Sequence, residues 1–354
     1  MNDHRIVKLT PPRISAEHID RKITCLRAHR ERIFRVSTEL VGGKLICHNY
    51  GQGGAGWTFL FGCVHESIRQ FEEQLALDPS FKDKPITVIG AGCYGLLTAL
   101  LLTRKGYAVR IVAKETDNLT SDAAAGFFFP RTRKRATPEE QAIFETLSTE
   151  SYRTYLEIAH GIHPFITQGP KLLPSYFDPE ISPGLDKQIE LGLVNAPELV
   201  FIDFGNGKQY RAMEYTMIYI NPSAMMKELR RHASTHAIPI VRAHVGSFDD
   251  VAESIIFNCA GLGAKELTDD SRLIPVQGHL ITLKDQPDPS FLQYLINVKI
   301  ASTTPQGIPR DEFIYYAPKE NGILGITFLR GHKALTANDH EFDRLIQRAR
   351  DFFG

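Results

Sequence analysis

Cysteine is scarce and badly spaced for two of its usual uses. The five residues, Cys25, Cys47, Cys63, Cys93 and Cys259, are odd in number, scattered, and form no C-x-x-C pair. This argues against a disulfide framework and against a zinc site. Net charge is also missing: 41 Lys and Arg balance 41 Asp and Glu. No global field would draw in a phosphate backbone or an anionic lipid surface, so nucleic acid is not an expected partner. The opening stretch, MNDHRIVKLTPPRIS, lacks an apolar core, and no secretory signal is expected. No internal repeat or low-complexity tract occurs. The longest uncharged run, Ile86 to Thr103, has the length of a membrane helix, but Gly90, Gly92 and Gly95 interrupt it. It reads instead as strand, tight turn and helix, and a cytoplasmic protein without a membrane span is the expectation.

What remains is an ordinary globular composition, 43% hydrophobic and 23% charged over 354 residues, enough for about two domains and a large core. Glu31–Val36 and Lys44–Asn49 read as a hairpin joined around Gly42-Gly43. A glycine cluster, His48–Thr58, precedes a helical pattern from Trp57 to about Leu75. Ala76–Pro85 reads as a polar linker. Ile86–Ile89, Tyr94–Lys105 and Ala108–Ala113 then form a β-α-β unit. Thr137-Pro138-Glu139-Glu140 is a capping-box start for a helix reaching about His160. Residues 161–219 suggest an antiparallel sheet with loops, and Asn221-Pro222 opens a helix to about His236. Ile238–Ala243 and Ser254–Cys259 look like buried strands, and a last helix starts near Asn338.

Gly90-Ala91-Gly92-Cys93-Tyr94-Gly95 is a G-x-G-x-x-G between an apolar strand and a helix. Its glycines permit a tight turn, close approach of the backbone to a pyrophosphate, and helix–strand packing, with the anion at the helix N-terminus. The acid expected ~20 residues further on, to bond the ribose, is Glu115.

Further segments extend the pattern: Ser121-Asp122-Ala123-Ala124-Ala125-Gly126, Asn258-Cys259-Ala260-Gly261 and Pro275-Val276-Gln277-Gly278-His279. With the G-x-G-x-x-G they resemble the D-amino acid oxidase family of FAD-dependent oxidoreductases, His279 standing where the family usually has Gln. The family's H-N-Y-G-H-G-G-x-G-x-T signature, ordinarily near the C-terminus, is matched by His48–Thr58 ahead of the G-x-G-x-x-G. That order reads as a circular permutation, tolerated where termini are close and linkers exposed.

The resemblance implies an α/β fold with a Rossmann-type FAD domain and a substrate domain carrying a mixed or antiparallel sheet. The expected boundaries are 42–135 and 237–270 for the FAD domain, and 1–41, 136–236 and 271–354 for the substrate domain. Residues 76–85 would bridge the ancestral termini. FAD would be held by Gly90, Gly92, Tyr94, Gly95, Glu115, Ser121, Ala124, Ala125, Gly126, Val245, Cys259, Ala260 and Gly261. Gly53, Gly54, Ala55, Gly56, Trp57 and Thr58 would face the isoalloxazine, where loop amides and a helix start suit an electron-rich acceptor.

An arginine suits a substrate carboxylate through charge-assisted bonds. In Leu26-Arg27-Ala28-His29-Arg30 the resemblance favours Arg30, with Arg27 second. Tyr315, opening Tyr315-Tyr316-Ala317-Pro318, is the second expected contact. A further active-site tyrosine of the eukaryotic oxidases would fall near Asp311, within Pro309-Arg310-Asp311-Glu312, where this chain departs from the family. His232 and His236 have i,i+4 spacing but no third ligand, and read as surface residues rather than a metal site. Phe127-Phe128-Phe129 could wall a flavin or fill a core.

The implied reaction is oxidative deamination of a D-amino acid, with hydride passing to flavin N5 and dioxygen or another acceptor reoxidising the flavin. Alternatives are a glycine- or sarcosine-type amine oxidase, a quinone-linked dehydrogenase, or a catalytically silent flavin scaffold.

Overall fold

The strands divide between two sheets in the computed structural model, which describes residues 5–130, 136–303, 309–335 and 339–354. The first sheet has six strands in the order Ile240–Arg242, Val109–Ala113, Ile86–Ile89, Ile255–Asn258, Lys44–Tyr50 and Arg35–Val41. Its first five strands run parallel, and Arg35–Val41 returns antiparallel along the edge. The central strands Ile86–Ile89 and Ile255–Asn258 are buried throughout, as expected for a parallel sheet covered on both faces, and their short runs of apolar residues follow from that.

Helix Cys93–Arg104 connects Ile86–Ile89 to Val109–Ala113, completing the expected β-α-β unit. Helix Leu60–Leu77 leaves the glycine loop and packs closely on helix Pro138–Ala159: a Cβ on Gly62 would stand 2.1 Å from the Leu147 carbonyl oxygen. The latter helix carries the predicted capping box, with the Glu140 amide donating to Thr137 Oγ1 at 3.3 Å and the Thr137 amide to Glu140 Oε2 at 3.0 Å.

The second, ten-stranded sheet is mixed. Within it, Gln209–Tyr219 pairs antiparallel with both Lys171–Phe177 and Glu198–Asp203. Leu295–Thr303, Pro309–Ala317, Ile323–Leu324 and Leu273–Leu283 continue it, and helix Asp339–Phe353 packs on this part. Ile19–Arg30 pairs along almost the whole of Leu273–Leu283.

The N-terminal segment differs from the sequence expectation. Instead of a strand at Glu31–Val36, the chain runs extended from Ile19 to Arg30, turns at Arg32 (φ 65°) and resumes at Arg35–Val41. Buried Arg27 and half-buried Arg30 interrupt the alternation that would have marked the long strand. Gly42 and Gly43, at φ 57° and 79°, make the two-residue hairpin turn that needs positive φ at both positions. The turn carries residues 35–41 into the first sheet, so the expected domain boundary at residue 42 falls inside a hairpin.

Candidate functional site

The sheet's central strands deliver the glycine turn to their carboxyl ends. Gly90 has φ 107°, and a Cβ there would stand 2.4 Å from the Cys259 carbonyl oxygen. A Cβ on Gly95 would stand 1.9 Å from the Gly90 carbonyl oxygen, so both positions exclude a side chain. Gly92 is the N-cap of helix Cys93–Arg104, and Ser121 Oγ accepts from the Cys93 amide at 3.1 Å. The Cys259 amide donates to the Ile89 carbonyl at 2.9 Å. Gly90, Gly92, Gly95, Ser121 and Cys259 thus converge, with half-buried Ala260 and open Gly261 (φ 60°) following Cys259. Glu115 is exposed just past the Val109–Ala113 strand, and Val245 packs against the small cluster of Ile46, Ile89 and Ile256.

The second glycine loop lies against this turn. Tyr94, inside the G-x-G-x-x-G, donates to the Gly56 carbonyl at 2.8 Å. Trp57 Nε1 donates to the Ser121 carbonyl at 3.2 Å, and Thr58 Oγ1 accepts from the Phe129 amide at 3.0 Å. The preceding His48, Asn49 and Tyr50 act as braces, all buried. Asn49 Nδ2 donates to the Cys63 carbonyl at 3.0 Å, while His48 faces Glu39 and Asn258. Lys319, which the sequence reading did not single out, is also buried. Its ammonium donates to the carbonyls of Asp122 and Ala124, fastening the 120–126 segment, where Ala125 is buried and Gly126 (φ 95°) leaves room for Pro222.

The two candidate arginines have different surroundings. Arg30 Nε pairs with Asp270 Oδ2 at 2.7 Å, and its Nη1 donates to the Ile33 carbonyl at 2.8 Å. Tyr50 also donates to Asp270 at 2.9 Å. Burial works to raise the Asp270 pKa, but the bonds from Arg30 and Tyr50 outweigh it and leave the carboxyl below its ordinary range. Arg30 is therefore paired with an internal carboxylate.

Arg27 is the arginine beside Tyr315. Its Nη2 donates to the Thr327 carbonyl, and its guanidinium lies 4.0 Å from the centre of the Phe328 ring. Its Nε and Nη1 are buried without a hydrogen-bond partner among the described residues, and burial lowers its pKa. Gly54 approaches Arg27 Nη1, and Gly278 lies under Nη2. Tyr315 packs on Phe127 with ring centres 4.0 Å apart. Burial pushes its phenol well above its ordinary pKa, and Arg27 opposes that rise. A buried cation with two unused donors, lined by two glycines and an aromatic pair, is equipped to take an anionic group.

The remaining motifs resolve more simply. His279 is buried, with Nδ1 2.7 Å from Thr327 Oγ1. His232 is buried rather than at the surface, its Nε2 2.9 Å from the Phe165 carbonyl oxygen, because that face of its helix packs inward. Phe127 and Phe128 belong to the core, Phe127 packing also on Tyr315, and half-buried Phe129 stacks on Phe177. The side chain of Asp311 lies outside the described residues. Among the described residues, no cluster of His, Cys, Asp or Glu could hold a metal, and no helix is long and apolar enough to cross a membrane.

The chain is similar to several known proteins. A family model described as FAD dependent oxidoreductase matches residues 85–354. A D-amino-acid oxidase of Streptomyces coelicolor is 26% identical over 251 residues, covering 69% of this chain and 69% of that protein. A D-aspartate oxidase of Homo sapiens is 27% identical over 220 residues, covering 56% of this chain and 59% of that protein. The chain thus spans about six- to seven-tenths of the length of these curated relatives. Iminodiacetate oxidase from a Chelativorans species shares the fold at a TM-score of 0.50 and 13% identity, over 75% of this chain and 78% of that one. The glycine turn, with no room for side chains at Gly90 and Gly95, fits the pyrophosphate of a dinucleotide. With more than half of its length matched, this chain belongs to the FAD dependent oxidoreductase family, and its cofactor is FAD.

Proposed function

We propose that the protein oxidises a small amino acid, of D configuration as in its named relatives, with Arg27 rather than Arg30 receiving the substrate carboxylate. The observation that carries this reading is the buried Arg27 guanidinium with Nε and Nη1 unused beside Tyr315. A carboxylate there gains charge-assisted bonds where water is largely excluded, and position as well as affinity follows. Tyr315 supplies a phenol kept protonated by burial, a donor for the same carboxylate. FAD, when bound, accepts the hydride, and the protein contributes orientation and electrostatics. Dioxygen is the proposed acceptor. Gly90, Gly92, Gly95, Ser121 and Cys259 would hold the dinucleotide's phosphate end, residues 53–58 would face its ring, and Glu115 would take the ribose.

The test is a visible spectrum of the purified protein followed by anaerobic addition of D- and L-amino acids, glycine and sarcosine. Bleaching by a D-amino acid supports the reading. Bleaching only by glycine or sarcosine replaces it with an amine oxidase, and bound flavin that nothing in the panel reduces argues for a non-catalytic role.

The circular order is proposed on the same footing. Lys44–Tyr50 lies parallel to Ile255–Asn258 within the first sheet, although the family match starts at residue 85. Arg350 Nε donates to the Ile14 carbonyl at 2.9 Å, so the last helix lies against the N-terminal segment. A rearranged chain carrying residues 86–354 ahead of 1–75 should fold and bind FAD. Failure to recover any FAD-binding protein from several linker lengths would count against the permutation.

A further inference from the structure

Two phenols from separate helices grip consecutive carbonyls of the glycine loop. Tyr94, in helix Cys93–Arg104, donates to the Gly56 carbonyl at 2.8 Å, and Tyr155, in helix Pro138–Ala159, donates to the Trp57 carbonyl at 2.6 Å. Both rings are buried, and burial holds both phenols well above their ordinary pKa, so each stays a donor. In a trans peptide the carbonyl and the following N–H point in opposite directions, and the described residues contain no cis peptide. Holding the Gly56 and Trp57 carbonyls toward the tyrosines therefore turns the amides of Trp57 and Thr58 the other way. Among the described residues neither amide has a protein acceptor, whereas those of Ala55, Phe59 and Leu60 do. Helix Leu60–Leu77 begins immediately after, without a side-chain cap at Phe59, and adds its positive end.

We propose that Tyr94 and Tyr155 are positioning residues that aim the Trp57 and Thr58 amides at the electron-rich end of the flavin and thereby raise its reduction potential. The glycines permit the loop's path, and the phenols fix the direction of its peptides. Donors oriented in advance favour the negative charge that arrives on reduction, at no cost in reorganisation at that moment. The inference rests on the reading of residues 53–58 as the ring-facing loop.

The test uses the FAD-loaded protein with Tyr94→Phe and Tyr155→Phe, reading FAD affinity, sulfite affinity and midpoint potential. Each variant should retain FAD yet bind sulfite about tenfold more weakly, which for a two-electron couple corresponds to about 30 mV. Site-specific 3-fluorotyrosine at either position preserves the ring while making the phenol a stronger donor, and should tighten sulfite binding. Phe61 packs edge-on against Tyr155 with ring centres 5.1 Å apart, so Phe61→Leu should lower the melting temperature and leave the potential unchanged. Phe variants that fold with wild-type sulfite affinity and potential overturn the proposal, as does an unchanged fluorotyrosine protein should the Phe variants not fold. A wild-type chain that cannot be loaded with FAD would overturn the ring-facing reading itself, and the tyrosine clamp with it. FAD bound with no response to the phenols overturns the clamp alone.

Discussion

The guanidinium of Arg27 fills the space that a side chain on Gly278 would need: a Cβ built on Gly278 would stand 2.3 Å from Nη2 and 2.9 Å from Cζ. In the strand register Gly278 faces Cys25 while Arg27 faces Val276, so the arginine leans diagonally across its neighbour strand. Gly278→Ala should therefore displace Arg27 while leaving the dinucleotide turn intact. The expected result is retained FAD with KM raised about tenfold or more, on the scale of one lost charge-assisted bond. An alanine variant with wild-type KM would show that the guanidinium is not where the substrate binds.

Replacing the two arginines should give opposite phenotypes. Arg27→Met should weaken binding of substrate, and of carboxylate inhibitors, by about 10- to 100-fold, with folding little affected. Arg30→Met instead strands the Asp270 carboxylate, whose side chain is only 8% exposed, and should cost about 3–5 kcal/mol of stability. Carboxylate-inhibitor titrations and denaturant melts of both variants separate the two effects. The assignment is reversed if inhibitor affinity collapses in Arg30→Met and survives in Arg27→Met.

Lys319 ties the Asp122 and Ala124 carbonyls together from a buried position. Lys319→Met leaves both acceptors short of a donor, a penalty of about 1–3 kcal/mol, and should loosen the segment that contains Ser121. FAD affinity, read from quenching of flavin fluorescence, should fall about tenfold. An unchanged dissociation constant would confine Lys319 to a packing role.

His48 predicts how stability responds to acid. Its Nε2 lies 2.9 Å from Glu39 Oε1 and its Nδ1 3.2 Å from Asn258 Nδ2, an arrangement satisfied by a neutral ring that donates to the carboxylate and accepts from the amide. Burial pushes its pKa down to about 4, Arg35 adds to this, and Glu39 opposes it. Between its unfolded value near 6.5 and about 4, the unfolded chain holds a proton that the folded chain does not. Stability should then be greatest above pH 6.5, fall on acidification to about pH 4, and level off below, by a total on the order of 3 kcal/mol from this group. His48→Gln should flatten that part of the profile in thermal melts. Parallel profiles for variant and wild type would refute the assignment.

The legible parts of this chain are those where the backbone itself restricts the residue. Gly90 and Gly95 are forced by carbonyl oxygens within 2.4 Å of any Cβ, and the Thr137 capping box is a local exchange of bonds. The choice between Arg27 and Arg30 was not legible, because residues three apart on a strand face opposite sides. Only pairing with Leu273–Leu283 sets Arg27 opposite Val276 and over Gly278, and Arg30 opposite Leu273. Lys319 stayed hidden for a related reason. An isolated lysine after a proline reads as surface, and its two acceptors lie nearly 200 residues away.

The seating of Lys44–Tyr50 against Ile255–Asn258 also sets a schedule for the nascent chain. Leu45 pairs with Ile255, so the earlier strand leaves the ribosome 210 residues before its central partner exists. At typical elongation rates that delay is about 10–40 s. During it, Arg35–Val41 is the one native partner available to Lys44–Tyr50, and the opposite, apolar edge of that strand stays unpaired. In refolding, the same separation makes closure of this pair a late event. Pulse-labelled hydrogen exchange should find the Leu45 amide, which donates to the Ser254 carbonyl at 2.8 Å, protected later than the amides of residues 45–50 that bond to Arg35–Val41.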